Sequence, residues 1–145
     1  MTKIVHSIIL HAPLEEVFEY VSDWRKWEEW FEGVSNFEPT TKTKKGNGTR
    51  YKYKANLMGL KATVETEIHD FVENQGWRGV AVRGMPHETY WNFEKIKGDT
   101  KFTYGLEYSL PIPIIGNSLD SLLLKPQWNK IIINSLQNLA KKFNQ

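Results

Sequence analysis

Between Val34 and Leu110 the apolar residues recur at every second position. That alternation commits more than half of the chain to antiparallel strands with one buried face. Breaks at Gly46-Asn47-Gly48, Gly59-Leu60, Asn74-Gln75-Gly76, Gly84-Met85-Pro86 and Gly98-Asp99 divide the stretch into six strands. A seventh precedes them: Ile4 to Leu10 is apolar and rich in β-branched residues. A sheet this long must cover its apolar face with another layer. The cover predicted by periodicity is the C-terminal helix, where Trp128, Ile132, Leu136, Leu139 and Phe143 form one stripe. Pro126 cannot sit inside a regular helix, so a break is expected near Leu124-Lys125, with Pro126 opening the long segment. Pro111-Ile112-Pro113-Ile114-Ile115 cannot belong to a central ladder.

Two short helices are expected between the first strand and the rest. Pro13 suits a first helical position, and Leu14, Val17, Phe18 and Val21 follow on one face. Asp23 can cap a second helix over Trp24–Phe31, which Gly33 can end. Glu28 and Glu29 read as its solvated face.

Turn chemistry suggests registers for two hairpins. With Gly59-Leu60 as a two-residue turn, Tyr51 faces Ile68, Tyr53 faces Thr66 and Ala55 faces Val64. Lys54 then opposes Glu65, and Lys52 opposes Glu67, on the other side of the sheet. With Gly98-Asp99 as the turn, Phe93 opposes Tyr104, Trp91 opposes Leu106 and Thr89 opposes Tyr108. Each hairpin acquires one aromatic face.

Composition narrows the function classes. At 145 residues one domain, 1–145, is expected. Six Trp, six Tyr and seven Phe argue against disorder. The absence of cysteine excludes disulfides and thiolate chemistry, and a net charge of +2 is too small for a dedicated nucleic-acid binder. No signal-peptide layout or membrane-length apolar run occurs, so a cytoplasmic protein is expected. No histidine or carboxylate pair has ligand spacing on the aromatic face, so neither metal nor cofactor is expected. Lys42, Lys44, Lys45, Arg50, Lys52 and Lys54 read as a solvated sheet face, with an anionic membrane as the alternative.

The element order is that of the helix-grip fold, and the residues carry a family likeness. Ile8-Ile9-Leu10-His11-Ala12-Pro13-Leu14-Glu15-Glu16-Val17-Phe18, then Val21-Ser22-Asp23, Trp30 and Gly33-Val34, resemble the SRPBCC superfamily. That superfamily includes START lipid-binding domains, birch-pollen-allergen-like proteins and polyketide cyclases. Gly46-Asn47-Gly48-Thr49-Arg50 is similar to the family's next turn. Leu110–Gly116 and Ser135–Leu139 resemble its polyketide cyclase and CoxG-like branch. The likeness spans nearly the whole chain. It implies an α+β fold in which a curved seven-stranded antiparallel sheet wraps a long C-terminal helix and leaves a cavity between them.

The candidate ligand-binding residues are Tyr51, Tyr53, Thr66, Ile68, Arg83, Trp91, Phe93, Tyr104, Leu106, Tyr108, Trp128 and Ile132. On the residues alone, two accounts stay open: aromatics filling a solid core, and aromatics walling a pocket with hydroxyls to orient a ligand. Arg83 depends on strand parity, since Val80 and Val82 favour one face and Trp77 and Ala81 the other. An inward guanidinium would need an anionic partner or ligand. His6 is another group that can point inward, while His11, His69 and His87 stand isolated in sequence. No catalytic motif occurs, and no residue is assigned a catalytic role.

Three function classes follow. The first is binding or carrying a small hydrophobic molecule such as a lipid, isoprenoid, quinone or polyketide-like ring system. The second is a cyclase/aromatase-type enzyme. The third, suggested by the CoxG-like resemblance, is a recruitment module for a protein or membrane partner.

Overall fold

The computed structural model describes residues 1–57, 59–109 and 124–145. Strand β1 (Thr2–Leu10) leads into α1 (Leu14–Val21), a 3-10 turn (Trp24–Lys26) and α2 (Trp27–Trp30). Strands β2 (Val34–Pro39), β3 (Arg50–Leu57), β4 (Leu60–Val72), β5 (Gly76–Arg83), β6 (His87–Ile96) and β7 (Asp99–Tyr108) follow, and α3 (Lys125–Phe143) ends the chain. The strands form one antiparallel sheet in the order β1-β7-β6-β5-β4-β3-β2. The sheet is a curved half-barrel gripping α3, the α+β helix-grip fold.

Local chemistry explains the entry helices. Pro13 is the cap of α1 rather than its first residue, with φ −62° and ψ 150°. Val17, Phe18 and Val21 are buried, as their spacing requires. Asp23 caps the 3-10 turn, its carboxylate accepting from the Arg25 backbone N–H at 3.0 Å. Glu28 and Glu29 are not idle on the surface. Glu28 accepts backbone N–H bonds from Asn36 and Phe37 where β2 bulges, and Glu29 accepts from the Tyr20 hydroxyl at 3.0 Å.

The helix α3 includes Pro126 in its first turn, where a missing N–H does no harm. Ile132, Leu136 and Leu139 are buried, while Trp128 and Phe143 are half-buried at the ends of the stripe. The helix buries a second row, Ile131 and Ser135. Ser135 Oγ accepts the Glu32 backbone N–H at 2.9 Å, and Asn138 donates to the Trp30 carbonyl at 3.0 Å. These bonds fix the corner between α2 and β2 to the helix. The Pro111–Ile115 segment lies outside the described residues.

Both hairpin registers differ from expectation by two residues. Tyr53 pairs with Val64 and Ala55 with Ala62, while Trp91 pairs with Tyr104 and Phe93 with Phe102. In each case the glycine takes the second loop position rather than the first, since Leu57 pairs with Leu60 and Ile96 with Asp99. A shift of two preserves side-chain parity, so the aromatic faces survive. The ion pairs change partners. Lys52 opposes Glu65 across the ladder while its ammonium reaches Glu38 at 3.0 Å, and Arg50 rather than Lys52 holds Glu67, at 2.6 Å.

Candidate functional site: a cavity between sheet and helix

One end of the half-barrel is solid. Phe18 of α1 enters the sheet edge-on to Phe71, Trp77 and Phe93, with ring centroids 5.0–5.8 Å away. Phe93 stacks on Phe102 at 4.8 Å. Toward the other end the filling stops at a layer of indoles, where Trp77 stacks on Trp91 at 4.7 Å and Trp27 lies 5.5 Å from Trp91. The Trp27 indole N–H is tied to the Val21 carbonyl at 2.7 Å, which fixes that ring through α1.

Beyond the indoles lies a cavity of about 350 Å³. Strands β3 and β4 supply Tyr53, Ala55, Ala62, Val64, Thr66 and Ile68. Strands β5 to β7 supply Trp77, Gly79, His87, Thr89, Trp91, Tyr104 and Leu106, and Met85 joins them from the turn before β6. Phe31, Val34 and Phe37 close one side, and Leu124, Trp128 and Ile132 approach from the helix. Ala62 is exposed, which places it at the rim. The volume falls at the lower end of the roughly 300–1,000 Å³ usual for small-molecule sites.

Of the twelve expected residues, eight line this space: Tyr53, Thr66, Ile68, Trp91, Tyr104, Leu106, Trp128 and Ile132. Tyr51, Phe93 and Tyr108 face the same way but are buried in the packed region. Tyr51 is held by its hydroxyl on the Lys44 carbonyl at 2.7 Å and by Trp27, 4.9 Å away. Arg83 is corrected outright: it is exposed and outside the lining. The cause is a bulge in β5. Thr66 pairs with Ala81 but Glu65 pairs with Arg83, so the strand's parity resets and Arg83 joins the outward Glu65.

His6 does turn toward the helix, where Nε2 meets Asn129 Oδ1 at 2.6 Å, but it does not reach the cavity. His87 does. Its Nδ1 lies 2.7 Å from the Met85 carbonyl, which can only accept, so Nδ1 carries a proton. Burial holds the imidazole below its ordinary pKa of 6.5, leaving it neutral with Nε2 bare. Only a tertiary arrangement could mark His87, since its neighbours Pro86 and Glu88 carry no motif. Gly79, Trp27, Phe31 and Phe37 also lacked a sequence signal. Ala55, Ala62 and Val64 had one, as members of the apolar β3–β4 face.

The remaining polar groups of the wall are hydroxyls and indole N–H groups. Burial pushes the Tyr53 phenol well above 10, and burial with the nearby Tyr53 does the same to Tyr104, so both remain protonated donors. Phe37 packs on Tyr53 at 4.7 Å, and Phe31 on Tyr104 at 5.3 Å. Thr89 Oγ1 accepts from the Trp91 indole at 3.0 Å. Among the described residues, no Lys, Arg, Asp or Glu lines the cavity, and no group of three His, Asp or Glu residues has the arrangement of a metal site. No helix among them is long and apolar enough to cross a membrane.

A curved sheet gripping a helix around an apolar cavity defines a hydrophobic-ligand-binding architecture. The family model for "Polyketide cyclase / dehydrase and lipid transport" matches residues 1–144, and the chain belongs to that family. Solved structures share the fold at low identity. TTHA0849 from Thermus thermophilus is 22% identical with a TM-score of 0.83, over 98% of this chain and 97% of that one. A START superfamily protein from Mycobacterium smegmatis is 16% identical with a TM-score of 0.68, over 96% and 92%. Ginseng major latex-like protein 151 from Panax ginseng is 10% identical with a TM-score of 0.73, over 98% and 97%. No curated protein sequence matches the chain.

Proposed function

We propose that the protein binds, and carries, a small hydrophobic or aromatic molecule between sheet and helix. The candidates are a lipid, an isoprenoid, a quinone or a polyketide-like ring system. The observation that carries this reading is the cavity itself: about 350 Å³ left open beside a tightly interlocked aromatic layer. Interiors pack closely, and a sequence able to place six tryptophans could fill such a space. The binding residues proposed are the eight expected ones that line it, joined by Trp27, Trp77, His87 and Thr89.

A second reading, a cyclase/aromatase-type enzyme, is favoured by one observation. A neutral His87 with a bare Nε2 in an apolar wall has the form of a general base. Substrate turnover lost in His87→Gln with binding retained would establish it.

The binding reading is tested by titrating a hydrophobic fluorophore and a panel of lipids, quinones and aromatic polyketides against wild type and Ala55→Phe. Ala55 lines the cavity without being fully buried, so a phenyl group there occupies ligand space and not packed core. Saturable binding that the substitution blocks, with thermal stability nearly unchanged, is expected. Absence of saturable binding in every class, together with no small molecule in native mass spectra of protein from its own host, would overturn the reading.

A further inference from the structure

Resting on the cavity reading above, we infer that Tyr53 and Tyr104 form a two-hydroxyl subsite for one uncharged oxygen, so that the ligand is a neutral, flat, carbonyl-bearing molecule and not an anionic lipid.

Both tyrosines line the cavity, and their rings are fixed from behind by Phe37 and Phe31. Tyr104 is only 5% exposed. Yet among the described residues neither hydroxyl has a hydrogen-bond partner, whereas the Tyr20, Tyr51 and Tyr90 hydroxyls all do. Both hydroxyls open into the cavity, so a ligand that displaces solvent from them must replace its hydrogen bonds or bind more weakly. Two such phenols on the walls of one cavity therefore define the chemistry of the group that would meet them. Each can donate, and a carbonyl oxygen has the two lone pairs to accept both.

Charge settles the rest. No Lys or Arg among the described residues lines the wall, so a carboxylate or phosphate would enter an apolar space without a counter-ion. The Arg83 guanidinium that could have supplied one is outside. The Trp77–Trp91 stack gives a planar ligand a planar floor, and His87 Nε2 can accept from a ligand hydroxyl.

The test uses three probes with one ring skeleton: 9-fluorenone, fluorene and fluorene-9-carboxylate. Equilibrium dialysis gives their affinities for wild type, Tyr53→Phe, Tyr104→Phe and the double variant. Wild type should hold fluorenone about tenfold more tightly than fluorene, and the carboxylate more weakly than either. Each single substitution should lower fluorenone affinity about threefold, and the double should bring it to the fluorene value while leaving fluorene unchanged. None of the three variants should melt below wild type, since an unpartnered hydroxyl contributes no bond to the fold. Equal binding of ketone and hydrocarbon, tightest binding of the carboxylate, or a ketone preference surviving in the double variant would refute the inference while leaving the cavity reading intact. Binding of none of the three would refute the inference, and the panel of lipids, quinones and polyketides described above would then decide the cavity reading separately.

Discussion

Leu136→Ala separates the packing of the grip from the function of the cavity. Leu136 sits at the centre of the α3 stripe, 4% exposed, and belongs to the core without lining the cavity. The substitution removes three carbons from a closed site. At about 0.8 kcal/mol for each buried methylene, transfer alone predicts a loss of roughly 2.4 kcal/mol. The void left behind adds about 24 cal/mol per Å³ of unrelaxed volume, so the total should fall near 3–4 kcal/mol, within the roughly 2–5 found for such changes. For a chain of this length that corresponds to a melting temperature lower by about 10 °C. Urea titration followed by tryptophan fluorescence gives the free energy, and an unchanged m-value shows that the denatured state is not the cause. Ligand affinity should be unaffected at temperatures where the variant is folded. A loss under about 0.5 kcal/mol would mean that α3 does not bury this row, and the grip as described would be wrong.

Gly76→Ala should be worse tolerated than most core truncations. Its φ is +144°, and a Cβ there would lie 1.9 Å from the Trp91 carbonyl oxygen, so a loss of about 3 kcal/mol or more in urea titration is expected. A near-neutral effect would show that β5 does not approach β6 this closely. Stability should fall as pH drops below about 6.5, because the unfolded chain takes a proton at His87 that the buried imidazole resists. His87→Gln should flatten the slope just below about pH 6.5. It should leave the later, carboxylate-driven loss below about 4.5, where Asp23 and Glu67 lose their hydrogen bonds to Arg25 and Arg50. An unchanged slope in the variant would assign the transition to another group.

How far the sequence could be read depended on parity. Alternation identified every strand and the face of Tyr51, Tyr53, Trp91 and Tyr104, because side-chain direction repeats every two residues. It could not choose between registers two residues apart, which present the same faces. The deciding fact was turn geometry. Lys97, at φ +57°, takes the left-handed conformation beside Gly98, a position the sequence alone gives to glycine. Bulges defeated the parity argument altogether. Each inserts a residue without a marker in composition, and the one before Arg83 turned a candidate ligand contact into a surface group.

The cavity was legible only in part because it is made by what is missing opposite the aromatics, not by the aromatics themselves. Tyr51 and Tyr53 alternate onto one face of β3, yet Tyr51 meets Trp27 and Trp24 while Tyr53 meets open space beyond Phe37. The difference lies in α2, which ends at Trp30 and covers only one end of the sheet. Past that point the facing pairs are small: Ala55 against Ala62, and Gly79 opposite Thr89. A Cβ on Gly79 would already come within 2.6 Å of Thr89 Oγ1, the atom that holds the Trp91 indole. Small residues there therefore have two consequences. They leave volume at the rim, and they let the floor indole donate its hydrogen bond to the wall, so the pocket is shaped before any ligand arrives. On the binding reading proposed above, a site built this way would lose little entropy on binding and would select its ligand by flatness and by the hydroxyls that face the cavity.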